Sequence, residues 1–202
     1  MKHFASMIAI AAALSPGAAL AEGDWSGPYV GAHAGVTMTD LDYAPDLWGT
    51  YGHDLDEFRA GLLAGYTWDL GDWTLGGEGD ATFFESSTGA FGPMSDVTLG
   101  SQYSLRARLG YDAGNALYYV TGGVAWAELS SKHNAPVTGT PSTAHQGYIL
   151  GGGAEFAWTE NLNVRAEYLY SSFDQESYEF SCCLDYAEFD QHAVRAAVVL
   201  HW

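Results

Sequence analysis

The segment from Asp190 to Trp202 carries the pattern that most restricts what this chain can fold into. From His192 onward one parity is apolar, with Val194, Ala196, Val198, Leu200 and Trp202. The other parity holds Arg195 and His201 among small residues. Because successive side chains of a strand point to opposite faces, the segment predicts a long β-strand with one apolar face and an aromatic end.

The same alternation recurs along the chain and predicts eight strands. The first covers 29–39 and the last is the terminal segment, while the other six form three hairpins: 57–69 with 73–86, 101–112 with 116–131, and 146–158 with 162–173. Tight turns join each pair, and longer connections separate them at 40–56, 87–100, 132–145 and 174–190. We therefore predict an all-β fold, an eight-stranded antiparallel up-and-down transmembrane β-barrel with short turns at one end and longer loops at the other.

One parity of these strands carries no charge between two groups of aromatic residues. The group at the turn ends comprises Tyr66, Trp68, Trp73, Tyr111, Tyr118, Trp158 and Trp202, and the group at the loop ends comprises Phe58, Phe83, Tyr103, Trp126, Tyr148 and Tyr170. Phe58 and Trp68 are separated by ~33 Å of strand, which a tilt of ~40° reduces to a height of ~25 Å. This height matches the apolar band of an outer-membrane barrel, so this parity is predicted to face lipid.

The opposite parity of the strands holds a set of charged residues, diluted by glycine. They are Arg59, Glu78, Asp80, Arg106, Arg108, Glu155, Arg165, Glu167 and Arg195. A soluble barrel with these charges outside is the alternative, but a water-exposed strand surface usually carries lysine, and Lys132 near a loop is the only lysine after the first 21 residues. Arginine pairs with carboxylates in a bidentate manner, so we predict an interior polar network.

The start of the first strand adds a family resemblance. Trp25-Ser26-Gly27-Pro28-Tyr29-Val30-Gly31, followed by Gly35, resembles the W-x-G-x-Y-x-G-x-x-x-G opening of small porin-like, opacity-type outer-membrane β-barrel proteins. The last strand, with Val198, Leu200 and Trp202, resembles the terminal assembly signal of such barrels, with tryptophan where phenylalanine is commoner.

This resemblance covers essentially the whole chain after its N-terminal segment. It implies a structural, surface-exposed protein of the outer membrane that carries no catalytic residues. The implied partners are outer-membrane lipid and lipopolysaccharide, and the barrel-assembly machinery during insertion. The expected form is a monomeric barrel, and a small passive diffusion porin is the alternative function.

Residues 1–21 are predicted to be a secretory signal peptide. Lys2 and His3 precede an apolar run over 4–14, and small residues at Ala19 and Ala21 suit signal peptidase. A retained membrane anchor is the alternative, but the apolar run is too short to span a bilayer. The outer-membrane barrel is then one domain over 22–202.

Charge and motif content exclude several functions. The net charge of −18, with only 7 Lys and Arg in total, argues against nucleic-acid binding. The histidines have no serine partner at strand spacing, and no motif for phosphate, dinucleotide or metal occurs, so we expect no catalysis, no cofactor and no metal. Capture of a divalent cation or contact with a basic partner is the alternative function of the acidic connections at 40–56 and 174–190. They lack the residue order of a calcium loop, however, and solvation explains their charge more simply.

The adjacent pair Cys182 and Cys183 is predicted to form a vicinal disulfide. Neighbouring Cα atoms lie ~3.8 Å apart, below the ~4.4 Å at which ordinary disulfides begin, so the bond closes a strained ring. Two free thiols and an intermolecular bridge are the other states of this exported pair.

Mass spectrometry of the purified protein without reductant should show a deficit of about two daltons, since each disulfide removes two hydrogens. Full alkylation of both cysteines would exclude the ring.

Overall fold

Eight antiparallel strands close into a single barrel in the computed structural model, each paired with its neighbours in sequence and β8 paired with β1. The strands are β1 Gly27–Pro45, β2 Tyr51–Asp69, β3 Trp73–Thr82, β4 Ser95–Asp112, β5 Ala116–His133, β6 Ser142–Ala157, β7 Leu162–Phe180 and β8 Cys183–His201. The structure describes the backbone of 25–45, 51–83, 95–133, 142–180 and 183–202, and the side chains of 25–39, 57–83, 100–127, 145–173 and 190–202. No helix in these ranges is long and apolar enough to cross a membrane. The predicted eight-stranded antiparallel barrel is confirmed.

The strands are staggered around the barrel in a way that determines which residues share a level. A path around the barrel can start at Tyr29 and step from each residue to its direct partner on the next strand. This path returns to β1 at Thr39, ten residues further along. The path passes Gly65, Glu78, Arg106, Gly123, Ile149, Ser171 and Gln191. Such a stagger tilts eight strands by ~40° to the axis. None of the residues on this path is exposed, so the whole path follows the inner wall.

Short turns close one end of the barrel. In the first two, the side chains of Asp69 and Asp112 accept hydrogen bonds from the backbone N–H two residues later, at 2.7 Å in both cases. Those donors, Gly71 and Gly114, have positive φ angles of 88° and 82°, which glycine adopts without steric strain. An aspartate that bonds its own turn followed by a left-handed glycine is a stable hairpin connection, so these turns set the register of the strands they join.

The outer wall is apolar along the middle of every strand. Leu62, Leu105 and Val120 are 58%, 59% and 61% exposed, which would be unusual for large apolar side chains facing water in such number. Aromatic residues border this band at both ends, as predicted, although Trp126 and Tyr170 are only partly exposed. An apolar band between two aromatic belts is the exterior of a barrel embedded in lipid.

The predicted strand bounds were wrong at the loop end. Paired strand occupies much of the predicted connections, because β1 continues to Pro45 and β2 begins at Tyr51, where Tyr43 still pairs with Tyr51. β3 is shorter than predicted and ends at Thr82 instead of 86. Alternation disappears once neither face is apolar, whereas ladder hydrogen bonds between backbones continue without it. Residues 46–50, 84–94, 134–141 and 181–182 lie outside the described residues, as do 1–24 with the predicted signal peptide.

Depth in the bilayer, rather than exposure, should determine the effect of a charge on the outer wall. Leu62 lies on β2 between Phe58 and Tyr66, while Leu70 lies in the following turn with a similar exposure of 64%. Leu62→Arg should destabilise the barrel by about 2–4 kcal/mol, because arginine then meets hydrocarbon. The matched variant Leu70→Arg should cost about 0–1 kcal/mol. Urea unfolding in lipid vesicles measures both, and equal effects would argue against this placement of the membrane.

Candidate functional site

The candidate site is the lumen, and its central group is the carboxylate of Glu78 on β3. Arg165 on β7 donates to it from 2.5 Å, Arg106 on the neighbouring β4 forms a further ion pair, and Arg108 approaches to 3.5 Å. The hydroxyl of Tyr29 also donates to this carboxylate, at 2.9 Å. Strands β3 and β7 face each other in a closed barrel of eight. The pair of Glu78 with Arg165 therefore crosses the full width of the lumen.

A second carboxylate, Glu155 on β6, lies closer to the turn end. Arg165 binds it through Nε at 3.0 Å and Nη2 at 2.8 Å, and Arg108 donates from 3.2 Å. The amide of Asn163 donates to the other oxygen of this carboxylate at 3.0 Å, and His201 Nε2 lies 3.0 Å from that same oxygen. Both arginines thus connect two carboxylates of different strands, which joins β3, β4, β6 and β7 into one network.

The third carboxylate, Glu167 on β7, extends the network toward the loop end. It accepts from Arg106 at 3.1 Å, from Arg195 at 2.6 Å, and from the hydroxyl of Tyr119 at 2.9 Å. Arg195 then reaches Asp80 on β3, three strands away around the barrel, at 2.9 Å. His33 Nε2 also lies 2.9 Å from this carboxylate, so the network continues without interruption from β8 to β3 and β1.

Two tyrosines that the sequence analysis did not assign to the site support the arginines. The guanidinium carbon of Arg108 lies 3.9 Å from the ring centroid of Tyr119 and 5.6 Å from that of Tyr29. Cation–π contact stabilises a desolvated guanidinium, so the rings offset part of the repulsion between Arg108 and its neighbour Arg165. Both tyrosines have the parity of the interior residues, and that parity was the signal available in the sequence.

Arg59 lies nearer the loop end and has its own partners. Its guanidinium donates to the side-chain oxygen of Gln102 at 2.7 Å and to the backbone oxygen of Gly100 at 3.2 Å. Glu57, two residues earlier on β2, lies 3.6 Å from its Nε. Glu57 is only 3% exposed, and it was missed although it shares the parity of Arg59. Among the described interior residues, five arginines therefore face five carboxylates, and their formal charges cancel.

Burial makes this pairing necessary. The charged side chains of the lumen are at most 7% exposed. Arg165 and Glu155 are almost completely enclosed. A buried charge is destabilising unless ion pairs and hydrogen bonds satisfy it, and here each carboxylate of the central network contacts at least two cationic or donor side chains. The arrangement holds strands together across the lumen, and its oxygens and nitrogens are already engaged with one another.

Free volume remains on the loop side of this network. A cavity of about 40 Å³ lies above Arg195 and Asp80, with Arg59, Gln102 and Gln191 among the residues of its wall. Since ~10–15 Å³ of such space admits one water molecule, the cavity has room for a few waters. Ion pairs thus lie across the middle of the lumen, and a small cavity lies toward the loops.

The remaining predicted residues lie outside this network. Val198 and Leu200 of β8, and Trp202 directly after it, point outward and are 49%, 49% and 66% exposed. Cys182 lies outside the described residues, and only the backbone of Cys183, paired with Phe180, is described. Within the described side chains, no group of three or more His, Cys, Asp or Glu residues is arranged to hold a metal ion.

Comparison with known proteins agrees with this architecture. Residues 7–201 match the outer membrane protein beta-barrel domain family. The chain belongs to this family. The 25 kDa outer-membrane immunogenic protein of Brucella canis is 28% identical over 180 residues, which cover 86% of this chain and 78% of the relative. The 22 kDa outer membrane protein of Rhizobium leguminosarum bv. viciae is 27% identical over 176 residues, covering 87% and 77%.

A solved structure agrees with the fold. The crystal structure of the outer membrane protein OprG from Pseudomonas aeruginosa superposes with a TM-score of 0.60, covering 90% of this chain and 100% of that one at 12% identity. At this identity the likeness concerns the fold alone. Together with the family match and the named relatives, it establishes the protein as an outer-membrane β-barrel, as the resemblance in its first strand implied.

Neutralising the carboxylate of Glu78 should show how strongly the stability of the barrel depends on this group. Glu78→Gln leaves Arg106, Arg108 and Arg165 with one negative charge fewer in a buried site, so the barrel should lose about 3–5 kcal/mol of unfolding free energy. Urea unfolding in detergent micelles measures this loss.

The matched control is Glu160→Gln, the same chemical change at an exposed position in the last turn. It should leave the unfolding midpoint unchanged, because no buried partner is left behind. If both variants unfold at the midpoint of the unmodified protein, the ion pairs contribute nothing to stability.

Proposed function

We propose that this protein is a structural, surface-exposed barrel of the outer membrane whose lumen is closed by ion pairs and which neither conducts solutes nor performs catalysis. The observation that carries the proposal is the pair between Glu78 and Arg165, which joins opposite walls of the barrel. A barrel closed across its own diameter offers no continuous path through its middle.

The width of the barrel favours closure over diffusion. Eight strands leave an interior only wide enough to be filled by side chains, whereas porins with aqueous channels have about sixteen. Four arginines, three glutamates and two tyrosines share this narrow section. The alternative, a small passive diffusion porin, would need these groups to separate, and each separated charge would lose its partners in a poorly hydrated space.

The partners of the histidines support a non-catalytic role. His33 contacts Asp80, His201 contacts Glu155, and His192 lies 2.7 Å from the hydroxyl of Tyr168 on the outer wall. A hydrolytic site would place a histidine beside a serine, threonine or cysteine nucleophile. None of these three partners is such a residue.

The outer surface suggests the partners. Its apolar band and aromatic belts would contact outer-membrane lipid and, in the outer leaflet, lipopolysaccharide. The barrel-assembly machinery would recognise the outward residues Val198 and Leu200 of β8 and the following Trp202 before β8 closes against β1. The description of the Brucella canis relative as immunogenic supports exposure of the loops at the cell surface. A single barrel, without further subunits, suffices for this role.

Planar-bilayer recording tests the closed lumen directly. The unmodified protein should show no stable conductance, because paired charges occupy the central section. Arg106→Ala should melt at a lower temperature, since Glu78 and Glu167 each lose a partner, but it should still not conduct.

The diffusion-pore function makes the opposite prediction for the same recordings. Reproducible single-channel steps from the unmodified protein, with an ion selectivity that Arg106→Ala alters, would refute the closed lumen and support the porin. Recording both variants at matched protein-to-lipid ratios, after checking insertion by the gel shift between unboiled and boiled samples, separates failed insertion from true closure.

A further inference from the structure

We propose that Trp25 is a stopper that closes the turn end of the lumen, a second closure in series with the ion pairs. The proposal rests on the function proposed above, that of a barrel with a closed lumen, and it adds a specific residue and a specific end. Trp25 precedes β1 and belongs to no strand, yet it is only 3% exposed.

The contacts of Trp25 show that it spans the opening. Its buried neighbours are Leu117, the second residue of β5, and Ala157, the last residue of β6. In a closed barrel of eight strands, β5 lies opposite β1. The side chain therefore enters beside β1 and ends against the far wall, so it lies across the mouth instead of along one side of it.

A hydrogen bond holds the indole in this position. Its Nε1 donates to Oδ1 of Asp112, the last residue of β4, at 3.0 Å. The same oxygen accepts the backbone N–H of Gly114 at 2.7 Å, so the carboxylate is already oriented by the turn. An indole N–H that enters an apolar site requires a partner, and this one is supplied by a rigid group on the opposite side of the barrel.

The backbone before β1 directs the side chain inward. Gly27 has a φ angle of 99°, a conformation that side chains with a Cβ rarely adopt. A Cβ at this position would also lie 2.9 Å from the backbone oxygen of Trp202. Only glycine satisfies both conditions, and the chain can therefore bend against the end of β8 and send Trp25 into the lumen. This gives a physical reason for the W-x-G opening of the sequence.

Trp25 differs in this respect from the other tryptophans at the same end. Trp68, Trp73, Trp158 and Trp202 are 52%, 51%, 55% and 66% exposed on the outer wall, where they belong to the aromatic belt. Between Trp25 and the ion pairs, the ring of His201 stacks on Tyr29 with centroids 5.1 Å apart. The turn side of the lumen is thus filled, while the cavity of about 40 Å³ lies on the loop side.

Cysteine labelling measures the closure directly. Ala157→Cys, introduced together with Cys182→Ser and Cys183→Ser, places one thiol beneath the indole in the full mature barrel. A bulky water-soluble maleimide should label this thiol slowly, because the site is buried, and Trp25→Ala should raise the labelling rate by about tenfold or more. Trp25→Phe should keep labelling slow, since a ring still covers the site.

Two controls isolate the role of Trp25. Trp73→Ala removes an aromatic residue from the outer wall at the same end and should leave the labelling of the Ala157→Cys thiol slow. A reporter at Glu160→Cys, exposed in the last turn, should react at the same fast rate in every background, which verifies the reagent. The gel shift between unboiled and boiled protein verifies that each variant is folded.

Two outcomes would overturn the stopper: rapid labelling of the Ala157→Cys thiol while Trp25 is present, or equal slow labelling after Trp25→Ala in a folded barrel. Either result is independent of conductance. A barrel that conducts would refute the closed lumen whatever the labelling rate, whereas a barrel that does not conduct but labels rapidly would refute only the stopper.

Discussion

The ion pair between Glu78 and Arg165 is the interaction on which the rest of the barrel depends, because it connects walls that the backbone ladder does not connect directly. Ladder hydrogen bonds hold each strand to its two neighbours and close the wall. They connect opposite strands only through the strands between them. Charged side chains that meet across the lumen add a direct connection, and burial makes their separation costly.

The apolar exterior and the charged interior follow from the same register. If a strand slipped by one residue, its arginines would face hydrocarbon and its leucines the lumen. Arg106 and Arg108 on β4 would then each cost about 2–4 kcal/mol near the middle of the membrane. The carboxylates of Glu78 and Glu155 would also lose these arginines as partners. Lipid outside and ion pairs inside therefore select the same register, and neither requirement conflicts with the other.

The two ends of the lumen differ physically. At the turn end, Trp25 and the stacked pair of Tyr29 and His201 fill the space with rings. Toward the loops, Arg59 and its partner Gln102 border the cavity of about 40 Å³. The segment before β1 thus brings a ring to the turn mouth, above the stacked rings of Tyr29 and His201.

What the sequence by itself determined was the face of each residue. The period of two is a local property of any strand, so it predicted that Arg106 points inward and Leu62 outward, and from this the fold and the membrane location. The same period could have identified Tyr29, Tyr119 and Glu57 as interior residues. Strand ends such as Pro45 were not predictable, because the pattern stops where neither face is apolar.

Only the tertiary structure decided which residues meet. The pairing of Glu78 with Arg165, and of Trp25 with Asp112, depends on a stagger of ten residues accumulated around eight strands, which no single segment encodes. Closure of the barrel sets this stagger globally. It therefore sets which carboxylate each arginine reaches, and which wall the tryptophan before β1 touches.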